Sequence, residues 1–179
     1  IQLAVSRETE EILLPPIPIV KKEDEIQRIY FAGDVAMGRR FLELNPSPFD
    51  EFPISDPDAL IDSENPIPGS KKVTQWMLPY FELIDMAIVN LESVVTDSPQ
   101  TPHPTKDYVY FTLPESLVAL TDLGVDFVSL GNNHLYDYKE QGLVDTFAAL
   151  DSAGILNSGA GLTPESAWQT LDLTSGVQE

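Results

Sequence analysis

Short apolar runs alternate with longer amphipathic segments along most of the chain. The apolar runs predict buried strands over residues 28–32, 85–90, 108–111, 126–130 and 155–156. The segments between them have the length and spacing of helices, over residues 72–83, 114–123 and 137–153. Because strands and helices alternate, the pattern predicts an α/β protein with a mainly parallel sheet and flanking helices.

The helix predicted over residues 137–153 has signals at both of its ends. Asp137 and Glu140 form a D-x-x-E start signal, and Gly154 is expected to end the helix. The residues expected on its inner face are Val144, Phe147 and Ala148.

Prolines set the expected limits of regular structure in the first half of the chain. Residues 45–70 hold six prolines and six acids, which predict an exposed loop without a long helix or a central strand. In the helix predicted over 72–83, Pro79 is expected to kink or shorten it, and the residues available for burial are Trp76, Leu78 and Phe81. Residues 1–25 read as an extended linker, so the folded domain is expected over 26–179.

Composition narrows the classes of function. The formal net charge is -19, from 29 acids against 10 bases, which disfavours nucleic acid and anionic lipid as partners. The same charge repels polyglutamate unless a metal or a local basic patch lies between them. The chain has no cysteine, which excludes disulfides, thiolate metal sites and cysteine nucleophiles.

No apolar run reaches the roughly 20 residues that a membrane-spanning helix needs. The sequence begins at Ile1 instead of Met, so we expect that a signal or an anchor could have preceded it.

Polar residues follow three of the predicted strands. Asp34 ends the first, the segment Asn90-Leu91-Glu92 ends the second, and Asn132-Asn133-His134 follows the third. Ligands of open parallel sheets bind beyond the carboxyl ends of the strands, so these groups are expected at one edge. Carboxylate, amide and imidazole groups suit Mg, Mn, Fe or Zn.

Each of these residues also has a plainer interpretation. The Gly33-Asp34 and Asn132-Asn133 pairs are typical of turns, and Asn90 could simply cap a strand end. Their shared position at one predicted edge favours a joint role. Of the two histidines, His103 lies in a Pro/Thr-rich loop and is expected to be exposed and without a role.

Five segments in order resemble motifs of the CapA family of capsule and poly-γ-glutamate synthesis proteins, which has a metallophosphoesterase-like fold. Residues 33–39 (GDVAMGR) resemble the family's GDVMLGR signature, and residues 90–92 are similar to its NLE motif. Residues 106–111 look like its K-x-Y-x-F segment, and residues 127–142 look like its VVSLANNH-x-x-DYG-x-x-G block. Residues 154–161 resemble its AGI…GAG stretch, so the resemblance covers about residues 28–165.

The resemblance implies the amino-terminal half of a metallophosphoesterase-like αββα sandwich, with the carboxy-terminal half of the domain missing. It implies a divalent metal (Mn, Fe, Zn or Mg) held by Asp34, Glu92 and Asn133, and a catalytic His134 near the substrate. The implied substrate-binding residues are Arg39, Lys106 and Asn132. The wider superfamily has a His where Ala36 and Met37 stand and an Asp where Glu92 stands, so this chain departs from the two-metal ligand set at these positions.

Two roles stay open for Arg39 and Lys106. Both lie in family-like motifs on an acidic chain, so they could hold an anionic substrate group. Alternatively, each could pair with a neighbouring carboxylate, as basic side chains commonly do.

The resemblance leads to a CapA-type protein of the cell envelope or exterior, anchored through a segment absent from this chain. Such a protein would synthesise, export or anchor an anionic polymer, beside other envelope polymer-synthesis proteins. The alternatives are a metallophosphoesterase with a small phosphorylated substrate, and a non-catalytic polymer-binding scaffold. On the ligand count, we expect the 179-residue chain alone to be inactive and to bind divalent metal weakly.

Overall fold

The computed structural model describes residues 26–42, 59–99, 102–168 and 170. Its first half contains β1 (Ile29–Val35), a 3-10 turn (Arg39–Phe41), α1 (Pro66–Thr74), α2 (Leu78–Phe81), β2 (Met86–Leu91) and β3 (Val94–Val95). Its second half contains β4 (Phe111–Thr112), a 3-10 turn (Pro114–Leu117), α3 (Val118–Asp122), β5 (Val125–Ser129), α4 (Lys139–Ala153) and β6 (Leu156–Ser158).

Four parallel strands form the central sheet, in the spatial order β1-β2-β5-β6. Each belongs to an apolar run that predicted a strand, so the α/β class and the mainly parallel sheet are confirmed. A second, smaller pair joins β3 to β4, also in parallel. The strand expected over 108–111 is thus only the two-residue β4, and β3 is an element that the apolar pattern did not predict.

One face of the sheet is packed against the helices. Val89 and Val128 lie side by side on neighbouring strands and are 2% and 0% exposed. Leu120 of α3 and Leu123, which follows that helix, join them in the same hydrophobic core. Burial of these side chains supplies the main force that holds α3 against the sheet.

The opposite face of the sheet carries a row of apolar side chains that the described residues cover only in part. Phe31, Ile88, Phe127 and Leu156 are successive cross-strand partners on β1, β2, β5 and β6. Phe31 is 72% exposed and Leu156 is 48% exposed, while the two central members are partly buried. We refer to these four residues as the apolar row.

The helix predicted over 137–153 is present as α4, and its end is as expected. Gly154 adopts the left-handed conformation at φ 70°, and its N–H bonds to the carbonyl of Asp151. The expected inner face was wrong for Val144, which is 44% exposed, and for Ala148, which is also exposed, whereas Phe147 is partly buried and packs against the core. The buried residues of α4 are Gly142, Thr146 and Leu150.

A small and a polar residue determine the register of α4. A Cβ on Gly142 would lie 2.8 Å from the side chain of Val94, so the helix approaches β3 closely at this point. The Thr146 hydroxyl accepts a hydrogen bond of 2.9 Å from the Val95 N–H and donates one to the Gly142 carbonyl. The apolar spacing alone missed these two contacts because neither Gly142 nor Thr146 is an apolar residue of the kind that the spacing counts.

The proline-rich region contains more structure than its composition predicted. Pro66 and Pro68 lie in the first turn of α1, where a missing N–H costs no helical hydrogen bond. Ile61 is 0% exposed and forms a parallel bridge with Leu42. The expected exposed loop is therefore wrong for Ile61 and for residues 66–70, whereas residues 62–65 are irregular and mostly exposed as expected. Residues 43–58 lie outside the described part of the chain.

The single helix predicted over 72–83 is divided into the end of α1 and the short α2. Pro79 lies in the first turn of α2, so the helix is shortened as expected. Of the side chains expected to be buried, Phe81 is buried, whereas Trp76 is 78% exposed.

The predicted linker over residues 1–25 lies outside the described residues. In the part of the chain that the structure covers, no helix has both the length and the apolar character to cross a bilayer.

Candidate functional site

The carboxyl ends of β1, β2 and β5 meet at one edge of the sheet, as parallel pairing requires. Phe31 pairs with Ile88, but three residues later on β1 it is Asp34 that pairs with Asn90, only two residues later on β2. The extra residue is a β-bulge, a feature that re-aims a side chain. It brings the Asp34 carboxylate beside Asn90, whose Nδ2 donates a hydrogen bond of 2.6 Å to Oδ1 of Asp34.

Asn132 extends this hydrogen-bonded chain across the sheet edge. Its Nδ2 donates to Oδ1 of Asn90 at 3.1 Å and to the carbonyl of Leu91 at 2.9 Å. Its own Oδ1 accepts the backbone N–H of His134 at 3.0 Å. The Asn132 side chain thereby connects the loop after β5 to the end of β2. It also holds the backbone of His134 in place through the backbone N–H.

The His134 ring contacts a carboxylate and an aromatic ring. Nδ1 lies 2.8 Å from Oδ2 of Asp137, a residue with no exposed surface. The ring stacks on Tyr110, with centroids 3.9 Å apart and planes within 6°. Two partners on different segments therefore restrict both the tilt and the rotation of the imidazole.

Asp137 receives two further donors. The N–H of Tyr110 donates to Oδ2 at 2.6 Å, and the ammonium of Lys106 lies 2.5 Å from Oδ1. The Lys106 ammonium also donates to the carbonyl of Asn133. A buried carboxylate requires such partners, because an unpaired charge away from water is costly.

These contacts bear directly on the two roles left open for Lys106. Its only cationic group is engaged by Asp137 and by a backbone oxygen, and its side chain is 27% exposed. The contacts favour the ion-pair role, and a role in substrate binding stays a prediction. The side chain of Arg39 lies outside the described part of the structure, so its role stays a prediction too.

Glu92 and Asn133 lie near the same edge. Glu92 follows β2 directly, and its N–H donates to the carbonyl of Val35 at 2.9 Å, which places Glu92 beside the end of β1. Asn133 lies between Asn132 and His134, and its side chain is exposed. The sequence-predicted residues Asp34, Glu92, Asn132, Asn133 and His134 therefore gather at the carboxyl ends of the strands.

Within residues 26–42, 59–99 and 102–168, no three His, Asp or Glu side chains converge as ligands for one ion. Oδ1 of Asp34 already accepts the Asn90 amide, and Oδ2 of Asp137 already faces the His134 ring. A divalent metal at Asp34, Glu92 and Asn133 stays a prediction.

Two contributors to the site were missed by the sequence reasoning. The sequence predicts a helix start signal at Asp137, but the N-cap of α4 is Tyr138, and no side chain caps that helix. Tyr110 is predicted as part of a short strand and of the K-x-Y-x-F-like segment, without a role in the site. The spacing H-x-x-D was the available signal, because residues three apart in a turn can bond each other, as His134 and Asp137 do.

His103 also differs from its expectation. It is partly buried instead of exposed, and its N–H donates to the carbonyl of Asp137 at 2.7 Å. Its ring contacts the Thr105 hydroxyl at 3.2 Å and does not enter the His134 cluster.

Comparison with known proteins places this fold and site in a family. Residues 28–177 match the model of the bacterial capsule synthesis protein family PGA_cap. The match covers most of the chain and contains every residue of the site described above. The chain therefore belongs to the bacterial capsule synthesis protein family, and the resemblance to CapA proteins is confirmed.

Two curated relatives illustrate the similarity. A protein of Mycobacterium tuberculosis (strain H37Rv) named a probable polyglutamine synthesis accessory protein is 28% identical over 165 residues, covering 85% of this chain and 43% of the relative. The CapA protein of Bacillus subtilis (strain 168), named for PGA biosynthesis, is 25% identical over 138 residues, covering 77% of this chain and 31% of the relative. The chain thus spans less than half the length of these relatives.

Proposed function

We propose that this chain carries part of a metal-assisted hydrolase or transferase site through which a cell-envelope capsule protein acts on an anionic polymer such as poly-γ-glutamate. The observation that carries the proposal is the hydrogen-bonded set Asp34, Asn90, Asn132 and His134 at the ends of three adjacent strands. The family membership and the names of the relatives support the polymer as the substrate class.

In this proposal, His134 is the group that exchanges a proton with the substrate or with an attacking water. An imidazole held by a carboxylate is suited to this role, because the partner fixes its orientation and stabilises its charged form. The distance of 2.8 Å between Nδ1 and Asp137 meets that requirement. Nε2 is the ring nitrogen left for the substrate.

The proposed metal solves an electrostatic problem. The chain has a net charge of -19, and the site edge carries Asp34 and Glu92. Such an edge repels a polyglutamate chain unless a cation lies between the two sets of carboxylates. A divalent ion at Asp34, Glu92 and Asn133 would supply that cation. It would also polarise the substrate group at which a bond is broken or from which a group is transferred.

The test introduces Asp34→Asn and His134→Gln separately into the chromosomal gene, so that the protein is made at its natural length. Asn at position 34 still accepts the hydrogen bond from Asn90, which keeps the loop in place. We expect each change to lower surface polymer by roughly 10-fold or more, because loss of the general acid–base group His134 costs about 100-fold in rate and loss of the Asp34 charge weakens the proposed metal site. His103→Gln is the matched control and should leave polymer output unchanged.

Immunoblotting checks that each variant is present at the normal level. Unchanged polymer with both variants at that level would refute the proposal. Loss of a metal-dependent phosphodiesterase activity, with polymer unchanged, would instead favour a small phosphorylated substrate. Polymer binding and polymer output that survive both substitutions would favour a scaffold.

A further inference from the structure

We infer that Asp137 is a positioning residue that holds His134 with its proton on Nδ1, so that Nε2 presents a lone pair at the sheet edge. The inference concerns the state of the ring. It rests on the proposed function only for what Nε2 acts upon. Asp137 belongs to neither the metal-ligand set nor the substrate-binding set that the sequence predicted.

The direction of the hydrogen bond follows from the donors around Asp137. Oδ2 receives the Tyr110 N–H at 2.6 Å, and Oδ1 faces the Lys106 ammonium at 2.5 Å. A carboxylate in such surroundings can only accept hydrogen bonds. The contact of 2.8 Å with His134 therefore requires the ring nitrogen Nδ1 to be the donor.

The ring cannot readily reverse to bring its other nitrogen to Asp137. Tyr110 covers one face of the imidazole at 3.9 Å between centroids, and Asn132 holds the backbone N–H of His134 at 3.0 Å. A flipped ring would turn a C–H group toward the carboxylate and lose the bond. The His134 side chain is 12% exposed, which leaves a limited opening to solvent.

The position of the proton determines which roles a neutral His134 can have. With Nδ1 carrying the proton, a neutral His134 acts through Nε2 as a proton acceptor or as a metal ligand. It cannot act as a neutral N–H donor to a substrate oxygen. The arrangement excludes that role by geometry, before any substrate binds.

Nitrogen NMR of the full chain tests the assignment directly, because the sequence contains only two histidines. In a ¹⁵N-labelled His103→Gln variant, one imidazole remains, and long-range ¹H–¹⁵N spectra at alkaline pH report which nitrogen is protonated. We expect Nδ1 to be protonated and Nε2 to be bare. Protonated Nε2 with bare Nδ1 would overturn the inference, whatever any further variant does.

Two variants in the same background separate positioning from general support of the fold. The double variant Asp137→Asn, Lys106→Met can keep an oxygen toward Tyr110 and His134 without placing the amide N–H₂ against an ammonium, so the Nδ1-protonated form should persist. The double variant Asp137→Ala, Lys106→Met removes the acceptor without leaving an unpaired ammonium, and the Nε2-protonated form should become dominant. If the Ala variant folds and keeps the Nδ1-protonated form, Asp137 does not set the tautomer.

The outcome is distinguishable from that of the proposed function. An Nδ1-protonated ring together with normal polymer output in His134→Gln cells would uphold the inference and refute the proposed function. An Nε2-protonated ring together with loss of polymer in His134→Gln cells would overturn the inference and support the proposed function.

Discussion

The two ends of the same sheet face differ sharply in how their side chains are used. Toward the amino ends of the strands lies the apolar row, with Phe31 and Leu156 largely open to solvent. Toward the carboxyl ends, Asp34 pairs with Asn90, and Asn90 pairs with Ser129. The apolar side chains at one end are covered only in part by the described residues, whereas Asp34, Asn90 and Asn132 at the other end bond to each other.

This difference shows which end of the sheet is complete within the described residues. Parallel sheets in α/β proteins are usually covered on both faces, and their strands are correspondingly apolar. The helices cover one face only, so the apolar row gains little from burial in this part of the chain. The carboxyl end is held instead by side-chain hydrogen bonds, and these form without a further layer of helices or strands on that face.

Matched phenylalanine substitutions give the largest contrast. Phe81→Ala should lower the free energy of unfolding by about 3–5 kcal/mol, because Phe81 is 7% exposed and its loss leaves a cavity. Phe31→Ala should cost less than about 1 kcal/mol, because little burial is lost from an exposed strand position. Urea unfolding of the 179-residue chain measures both values. Equal costs would mean that something covers the apolar row in solution.

Removing the cation from the polar end is expected to have the next largest effect. Lys106→Met leaves the fully buried Asp137 carboxylate without its ammonium partner, and such a change costs about 3 kcal/mol. Lys72→Met, at an exposed position of α1, is the control and should stay within about 0.5 kcal/mol of wild type. Thermal or urea unfolding compares the two. A small cost for Lys106→Met would reopen the anion-binding role for this residue.

Near the polar end, one buried hydroxyl lacks a hydrogen bond within the described residues, and its removal should be stabilising. The hydroxyl of Tyr138 is buried and has no hydrogen-bond partner among the described residues. Tyr138→Phe should therefore raise the free energy of unfolding by about 1 kcal/mol. Tyr80→Phe, at a position that is 57% exposed, is the control and should change little.

The same residue predicts a pH dependence. Burial, and to a lesser extent the charge of Asp137, raises the pKa of Tyr138 well above its ordinary value of 10.0. The contribution of Tyr138 to the free energy of unfolding is constant below pH about 10. Above that pH the free energy of unfolding falls, because the Tyr138 hydroxyl ionises more readily in the unfolded chain than in the folded one. The Phe variant should lose less stability than wild type between pH 9 and pH 11. An identical alkaline decline in both would contradict the burial of this hydroxyl.

Much of the sheet could be predicted because its signals are local. The apolar runs that became β2 and β5 are continuous, and the parallel order follows from the helices between them. The position of Asp34, Asn90 and His134 at one edge followed from the same reasoning. Gly154 ended α4 as expected, because a left-handed residue there suits glycine.

The errors arose where tertiary contacts outweighed local signals. Asp137 resembles a helix cap in sequence, yet its carboxylate also accepts from Lys106 and Tyr110, which lie in the distant segment before β4. The face of α4 is set by Gly142, whose lack of a side chain allows a close approach to Val94. The spacing of apolar residues cannot predict a close approach that depends on glycine having no side chain.

The bulge in β1 makes chain length, and not only chemistry, a determinant of the site. Deletion of Gly33 would remove the extra residue, and regular alternation from Phe31 would still bring Asp34 opposite Asn90, without the re-aiming that the bulge gives its side chain. An insertion of one residue at the same point, with the bulge kept, would instead bring Asp34 opposite Leu91 and turn it to the helix-packed side of the sheet. When other family members are aligned with this chain, an insertion between Phe31 and Asp34 therefore carries as much meaning as a substitution of the aspartate itself.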